Sequence, residues 1–356
     1  MGCCCFCKKK NSNENDAEAP LLENEEIKSI KKEEDFQKIK LLGKGTFGRV
    51  ILVRQKSDNQ LYAMKILSKK FLKEKNEQEH TKTERKLLAQ VNCPFIVKLH
   101  YAFQDSQNLF LVSDFIQGGD LFFHIRREKF FPNEKAKFYI AEIILVIDYL
   151  HKKNMIYRDL KPENILIDKE GHIKLTDFGL SKIIDKKKKK ANTICGTPQY
   201  LAPEIFKEKG YDKTVDWWSL GCLLYEMLSG RVLFRFNGSL DLSIYKKPLI
   251  LPNNFTESAK KFLKDILVVN PKNRLGYGEN GAEKIKNHEY FQDINWENLA
   301  NKQIKPPFIP EFKNETDLSY FDREFTEESL NASYSSENFT MYPGFTYFNK
   351  NLEIEK

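Results

Sequence analysis

Tyr157-Arg158-Asp159-Leu160-Lys161-Pro162-Glu163-Asn164 decides the fold, together with Asp177-Phe178-Gly179, which begins thirteen residues after Asn164. Asp, Asn and Asp make an oxygen-ligand set suited to a hard divalent cation such as Mg2+ and to a nucleophilic hydroxyl. Any one of these runs alone reads as a polar turn or a helix cap. Their order and separation carry the reading. Gly196-Thr197-Pro198, Ala202-Pro203-Glu204 and Asp216-Trp217-Trp218-Ser219-Leu220-Gly221 follow in sequence.

Upstream lies Gly43-Lys44-Gly45-Thr46-Phe47-Gly48-Arg49-Val50. Glycines let a tight hairpin bring backbone N–H groups close to phosphates without Cβ clashes. A dinucleotide-binding turn or a plain Gly-rich hairpin fits the same letters. A dinucleotide turn opens a helix, whereas Ile51-Leu52-Val53 continues as a strand. In Tyr62-Ala63-Met64-Lys65-Ile66 a lysine flanked by apolar residues either snorkels or meets an anion. Glu84, on the helical stretch Glu77 to Val91 and one turn from His80, is the candidate partner.

The 356 residues allow a two-lobed domain with extensions. No apolar run approaches the ~20 residues of a membrane span. The net charge of +8 is concentrated in clusters such as Lys8 to Lys10 and Lys186 to Lys190, which fit acidic partners. Four of seven cysteines (Cys3, Cys4, Cys5, Cys7) fall in the first seven residues, and the others lack zinc-ligand spacing. Nucleic-acid binding is disfavoured because no aromatic interleaving accompanies the lysines. Strand-like runs at Gln37 to Leu42, Gly48 to Arg54, Leu61 to Leu67 and Leu109 to Val112 surround the one helical stretch. Beyond Gly118 the pattern is helical: Lys135 to His151 is amphipathic, Val215 to Leu228 is apolar nearly all round, and Ala259 to Leu267 carries a stripe. Strands followed by helices imply segregated lobes.

The chain resembles the AGC group of protein serine/threonine kinases over roughly residues 36 to 350. Group-level signs are Tyr157 before Arg158-Asp159, Thr193-Ile194-Cys195-Gly196-Thr197-Pro198, and a tail with Pro306-Pro307-Phe308 and Tyr320-Phe321-Asp322. The resemblance implies an α+β bilobal kinase fold with a small β-rich N-lobe carrying one regulatory helix. It also implies a large, mostly helical C-lobe and a C-terminal tail wrapping the small lobe. The implied divisions are a disordered segment 1–35, a catalytic domain 36–291 (lobes about 36–116 and 117–291), and a tail 292–356. The implied activity is transfer of the ATP γ-phosphate to protein Ser/Thr.

By resemblance, Asp159 is the catalytic base, Lys161 touches the γ-phosphate, and Asn164 and Asp177 hold Mg2+. Lys65, paired with Glu84, meets the α- and β-phosphates. Gly43, Lys44, Gly45, Thr46, Phe47, Gly48, Val50 and Ala63 line the nucleotide. The Asp114 carbonyl and Ile116 amide form the hinge, and Ser113 is the gatekeeper. Glu204 with Arg274 is a buried support, and Asp216 braces the catalytic loop. Asp120, Glu163 and Glu226 match positions that receive substrate arginines; Asp120 replaces the usual Glu and is one methylene shorter.

Thr193 matches an activation-loop phosphosite set by an upstream kinase, with His80, Arg158 and Lys182 as its phosphate pocket. Tyr342-Pro343-Gly344-Phe345-Thr346-Tyr347 resembles a docking hydrophobic motif, with Thr346 as a phosphosite and Tyr342 in place of Phe. Ser333, Ser335 and Ser336 precede no proline and stay unassigned. Met1-Gly2-Cys3-Cys4-Cys5-Phe6-Cys7 reads as a myristoylation and palmitoylation signal, although Phe6 stands where Ser or Thr is expected. A metal-binding cysteine cluster and unmodified thiols are the alternatives. Anchoring would place a monomeric enzyme on the cytoplasmic face of a plasma membrane or endomembrane, with a cytosolic pool. An inactive scaffold would require loss of Lys65, Asp159 or Asp177, and all three are present.

Overall fold

A computed structural model describes residues 31–45, 48–184, 190–207, 210–236, 241–330 and 339–349. Strands β1 (Phe36–Gly45), β2 (Gly48–Gln55) and β3 (Leu61–Ser68) bury aliphatic and aromatic residues such as Phe36, Leu41, Ile51, Val53, Tyr62 and Ile66. With β4 (Leu99–Gln104) and β5 (Asn108–Asp114) they form a twisted antiparallel sheet. Its order is β1-β2-β3-β5-β4-β10, where β10 is Tyr347–Phe348 from the tail. Tyr62, Met64 and Ile66 point into the core. By strand alternation Ala63 and Lys65 face the other way. The register sets Val50 opposite Lys65, and Ala63 opposite Ser113. Those four side chains therefore share one face of the sheet.

Two helices follow β3: α1 (Lys69–Glu74) and α2 (Gln78–Gln90). The sequence showed only the second, because six residues are too few to display a helical period. The large lobe is built on α3 (Leu121–Glu128), α4 (Asn133–Lys152), α5 (Thr214–Ser229) and α6 (Glu257–Ile266). Between α4 and α5 lie the short strand pairs β6 (Met155–Ile156) with β9 (Lys182–Ile183), and β7 (Ile165–Ile167) with β8 (Ile173–Leu175). α5 is buried on nearly every face, Asp216 and Glu226 included, and it ends on Gly230 at φ +68°. α4 departs from the amphipathic expectation, since nearly all its faces are buried. Its polar residues are absorbed in pairs: Lys135 with Glu128 at 2.7 Å, Lys137 with Asp293 at 2.8 Å, and Glu142 with His172 at 2.5 Å.

The α+β, two-lobed expectation holds, and the tail does wrap the small lobe. Phe345 is buried among Leu67, Leu72, Leu99 and Leu111, a burial that contributes about 1.5–3 kcal/mol. Arg85 donates to the carbonyls of Phe345 at 2.9 Å and Thr346 at 2.7 Å. No helix among the described residues is long and apolar enough to cross a membrane.

Candidate active site

The Lys65 ammonium lies 2.8 Å from Glu84 Oε1 and 3.1 Å from Asp177 Oδ1, so β3, α2 and the Asp177-Phe178-Gly179 turn meet at one point. Burial alone would lower the Lys65 pKa. The Asp177 and Glu84 carboxylates outweigh it and carry it above its ordinary value. Lys65 in turn holds the Asp177 carboxyl below the usual range. Asp177 takes φ +54°, uncommon for a residue with a side chain. Phe178 is fully buried, edge-on to Tyr157 at 5.4 Å, which anchors the turn.

Asp216, wholly buried, holds the catalytic loop from beneath. Its Oδ2 accepts from Tyr157 N at 3.0 Å and His151 Nε2 at 2.8 Å, and its Oδ1 from Arg158 N at 2.8 Å. Arg158 sits at φ +71° on that support. Above it, Asp159 Oδ2 accepts from Asn164 Nδ2 at 2.9 Å and meets Lys161 Nζ at 2.9 Å. Asp159 Oδ1 accepts from Thr197 Oγ1 at 2.9 Å, and Thr197 accepts from Lys161 at 3.1 Å. Thr197 was quoted in the sequence only as part of a motif. Its contact spans 38 residues, and no local pattern announces it.

The donor chemistry fits Mg2+. Asn164 commits its amide nitrogen to Asp159, leaving its carbonyl oxygen beside the Asp177 carboxylate as protein donors. Among the described residues no group of three His, Cys, Asp or Glu could cage a metal. Magnesium is usually held by one or two carboxylates completed by phosphates and water. Among the described residues, a Cβ at Gly43 or Gly45 would meet no protein atom within 4 Å, so protein packing does not demand glycine there. Gly48 differs, because a Cβ would come within 1.8 Å of Ile66 O on β3. Thr46 and Phe47 lie outside the described residues. The tail reaches this hairpin through Lys44–Glu328 at 2.5 Å and Arg49 to Leu330 O at 3.1 Å.

On the cleft's far edge, Ser113 Oγ donates to Ala63 O at 3.4 Å. Asp114 turns its carboxylate to His100 Nε2 at 2.6 Å and Lys98 N at 3.1 Å, and its backbone N–H donates to Lys98 O at 3.1 Å. Ile116 is buried. Asp120 caps α3, accepting from Phe123 N at 2.8 Å. Burial, with Glu163 and Asp322 nearby, lifts its carboxyl to about 6. Burial also raises Glu163 and Glu226, and Glu226 accepts a hydrogen bond from the Tyr200 hydroxyl. Three carboxylates thus border the catalytic loop.

Other sequence-predicted residues are placed as follows. Glu204 and Arg274 form a buried bidentate pair at 2.6 and 2.8 Å; breaking such a pair costs about 3–5 kcal/mol. Thr193 is exposed and its carbonyl accepts from Tyr211 OH at 2.6 Å. Arg158 donates to Leu180 O and, at 3.1 Å, to Tyr211 OH, while His80 is bonded to Glu77 at 2.5 Å. Of the expected phosphate pocket, Arg158 is thus linked to Thr193 through the Tyr211 hydroxyl, Arg158 and Lys182 both act electrostatically on Cys195 two residues further on, and His80 is engaged with Glu77. Gly2, Cys3, Cys4, Cys5, Cys7, Lys186 to Lys189 and Ser333, Ser335 and Ser336 fall outside the described residues.

The protein kinase domain family matches residues 36–291, and the protein kinase C terminal domain family matches residues 312–347. Serine/threonine-protein kinase Sgk1-A of Xenopus laevis is 47% identical over 84% of this chain and 69% of its own length. Serine/threonine-protein kinase Sgk1 of Gallus gallus is 48% identical over 84% of this chain and 70% of its own. Serine/threonine-protein kinase gad8 of Schizosaccharomyces pombe is 48% identical over 82% of this chain and 52% of its own. With that lobed architecture and these matches, the chain belongs to the AGC group of protein serine/threonine kinases, enzymes that depend on ATP and Mg2+.

Proposed function

We propose that this kinase phosphorylates Ser and Thr preceded by arginine on protein substrates at a membrane surface. The observation that carries the substrate preference is the group of Asp120, Glu163 and Glu226 beside Asp159, since carboxylates match guanidinium geometry. The acceptor oxygen forms a bond to the γ-phosphorus as the β,γ-bridging P–O bond breaks, and ADP leaves. Asp159 orients the acceptor hydroxyl and takes its proton, and Thr197 and Asn164 fix the carboxylate for that task. Lys161 neutralises charge on the transferred group. Lys65, set by Glu84, steadies the remaining phosphates. Bound at Asn164 and Asp177, Mg2+ supplies charge neutralisation of the phosphate oxygens. Positioning and electrostatics account for the rate, because phosphoryl transfer asks little covalent work of the protein. A positional-scanning peptide library tests the preference: arginine at positions before the acceptor should dominate, and a flat profile would refute it.

An upstream kinase acting on Thr193 supplies activation in this reading. A phosphate of about −2 charge would draw His80 from Glu77 and Arg158 from Leu180. Phosphorylated protein should outperform the unmodified form, and His80→Ala should blunt the gain; equal activities would end the idea. Membrane residence rests on Gly2 acylation with palmitoylation of Cys3, Cys4, Cys5 and Cys7, because one chain alone anchors only marginally. Gly2→Ala should move the protein from the membrane pellet to the soluble fraction.

A further inference from the structure

A cavity of about 860 Å³ opens between α1, α2 and the tail, and none of the catalytic residues lines it. Its wall carries Lys69, Lys73 and Lys82, against one carboxylate, Glu79, and it is closed on the tail side by Thr340 and Tyr342. The Lys69 side chain is fully buried. Its ammonium touches Asp105 O at 2.7 Å, Thr340 O at 3.2 Å and Met341 Sδ at 3.8 Å, none of which carries a formal charge. The Tyr342 ring lies between two cations, Lys69 at 5.4 Å and Lys82 at 5.5 Å. Lys82 also pairs with Glu79 at 2.8 Å. A buried ammonium whose direct contacts are neutral is costly, and burial lowers the Lys69 pKa, against the opposing pull of the Asp105 carboxylate nearby. The cavity thus has an excess of two positive charges and one exposed hydroxyl-bearing residue, Thr340, in its wall.

We propose that Thr340 is a phosphorylation site whose phosphate is received in this cavity by Lys69, Lys73 and Lys82. In the modifying step the Thr340 oxygen bonds to the γ-phosphorus of ATP and the β,γ-bridging bond breaks. ADP leaves, and the hydroxyl proton passes to the modifying kinase's carboxylate base. Ser335-Ser336-Glu337-Asn338-Phe339 precede Thr340 and contain no Lys or Arg. The donor is therefore a second Ser/Thr kinase that accepts acidic and aromatic flanks; that choice alone rests on the arginine preference proposed above. A phosphate of about −2 charge balances the lysine excess and forms charge-assisted hydrogen bonds. It would tie the tail to both helices, one of which holds Glu84 toward Lys65.

The test installs phosphothreonine at position 340 of the full chain during translation and follows hydrogen–deuterium exchange across 339–349. Exchange should slow by about tenfold relative to unmodified protein. Lys73→Ala with Lys82→Ala, both outside the packed core, should restore the unmodified rate in the phosphorylated chain. Unchanged exchange, or slowing that survives the double substitution, overturns the proposal. Equal slowing of the unmodified chain by inorganic phosphate also overturns it, by making the cavity a soluble-anion site. Phosphopeptide mapping of protein from its own cells, under phosphatase inhibition, should find the Thr340 phosphate. A map that covers Thr340 and finds it unmodified defeats the assignment. None of these readouts depends on the substrate preference of the enzyme.

Discussion

Thr197 donates its hydroxyl proton to Asp159 Oδ1 at 2.9 Å. A hydrogen bond to a charged group contributes about 1.5–3 kcal/mol. Thr197→Val should therefore lower kcat by about 10- to 100-fold, with KM for ATP nearly unchanged, while Thr197→Ser keeps most of the rate. Steady-state kinetics of the three proteins decide this; a Val variant as fast as the parent would show that Asn164 and Lys161 suffice to orient Asp159.

Asp159→Ala and Asp177→Ala should each reduce peptide phosphorylation by at least about a hundredfold. The Asp177 change leaves the Lys65–Glu84 pair in place, so the melting temperature should stay within about 4 °C of the parent. Scanning calorimetry beside a phosphate-transfer assay reads both. More than a few per cent residual activity in Asp177→Ala would contradict its role as a metal ligand.

Asp120 should give the enzyme a pH-dependent taste for arginine. Its carboxyl is raised to about 6, chiefly by burial, so it is ionised at pH 7.5 and mostly neutral at pH 5. Below that midpoint it loses the charge that would hold a guanidinium. kcat/KM for an arginine-bearing peptide should drop by about tenfold between pH 7.5 and pH 5, beyond the drop for a peptide lacking that arginine. Asp120→Asn should shrink the difference between the two peptides at pH 7.5, leaving what Glu163 and Glu226 contribute.

Ser113 leaves less bulk at its position than a long side chain would, opposite Ala63 in the sheet. Adenine mimics with an aromatic extension should inhibit the natural enzyme, and Ser113→Met should block them. A group burying about 80 Å² more surface gains roughly 2 kcal/mol at about 25 cal/mol per Å², reduced by ordering costs. Inhibition constants measured at matched ATP saturation compare the two proteins. Similar constants would mean that a neighbouring side chain already fills the space.

The motifs from Gly43 to Asp216 were legible because each is a short run with its own chemistry, and their order did the rest. β4 was not. It is buried on both faces, with Tyr101 and Phe103 in one cluster and Leu99 and Ala102 in another, so it shows no alternation. Lys69 reads as a surface lysine and is fully buried, because the chain that covers it arrives from position 340. The contacts of Thr197 with Asp159, and of Arg85 with Phe345, were out of reach for the same reason. Side-chain pairs far apart in sequence leave no spacing to read. Tyr157 and Asp216, by contrast, sat inside quoted motifs, and the resemblance already implied the brace that the bond between them supplies.

β10 occupies the outer edge of the small-lobe sheet, paired with Tyr101 and Ala102 of β4. During synthesis that edge emerges long before its partner. Ala102 and Tyr347 are separated by 245 positions, which at about 5–20 residues per second is roughly 12 to 50 s of translation. For that interval the newborn small lobe presents an open strand and an unfilled apolar groove, the features that invite unwanted pairing. Residues made much later close it, so the tail acts as a seam on the nascent protein, and a ribosome that stops before Tyr347 releases a lobe with its edge still open.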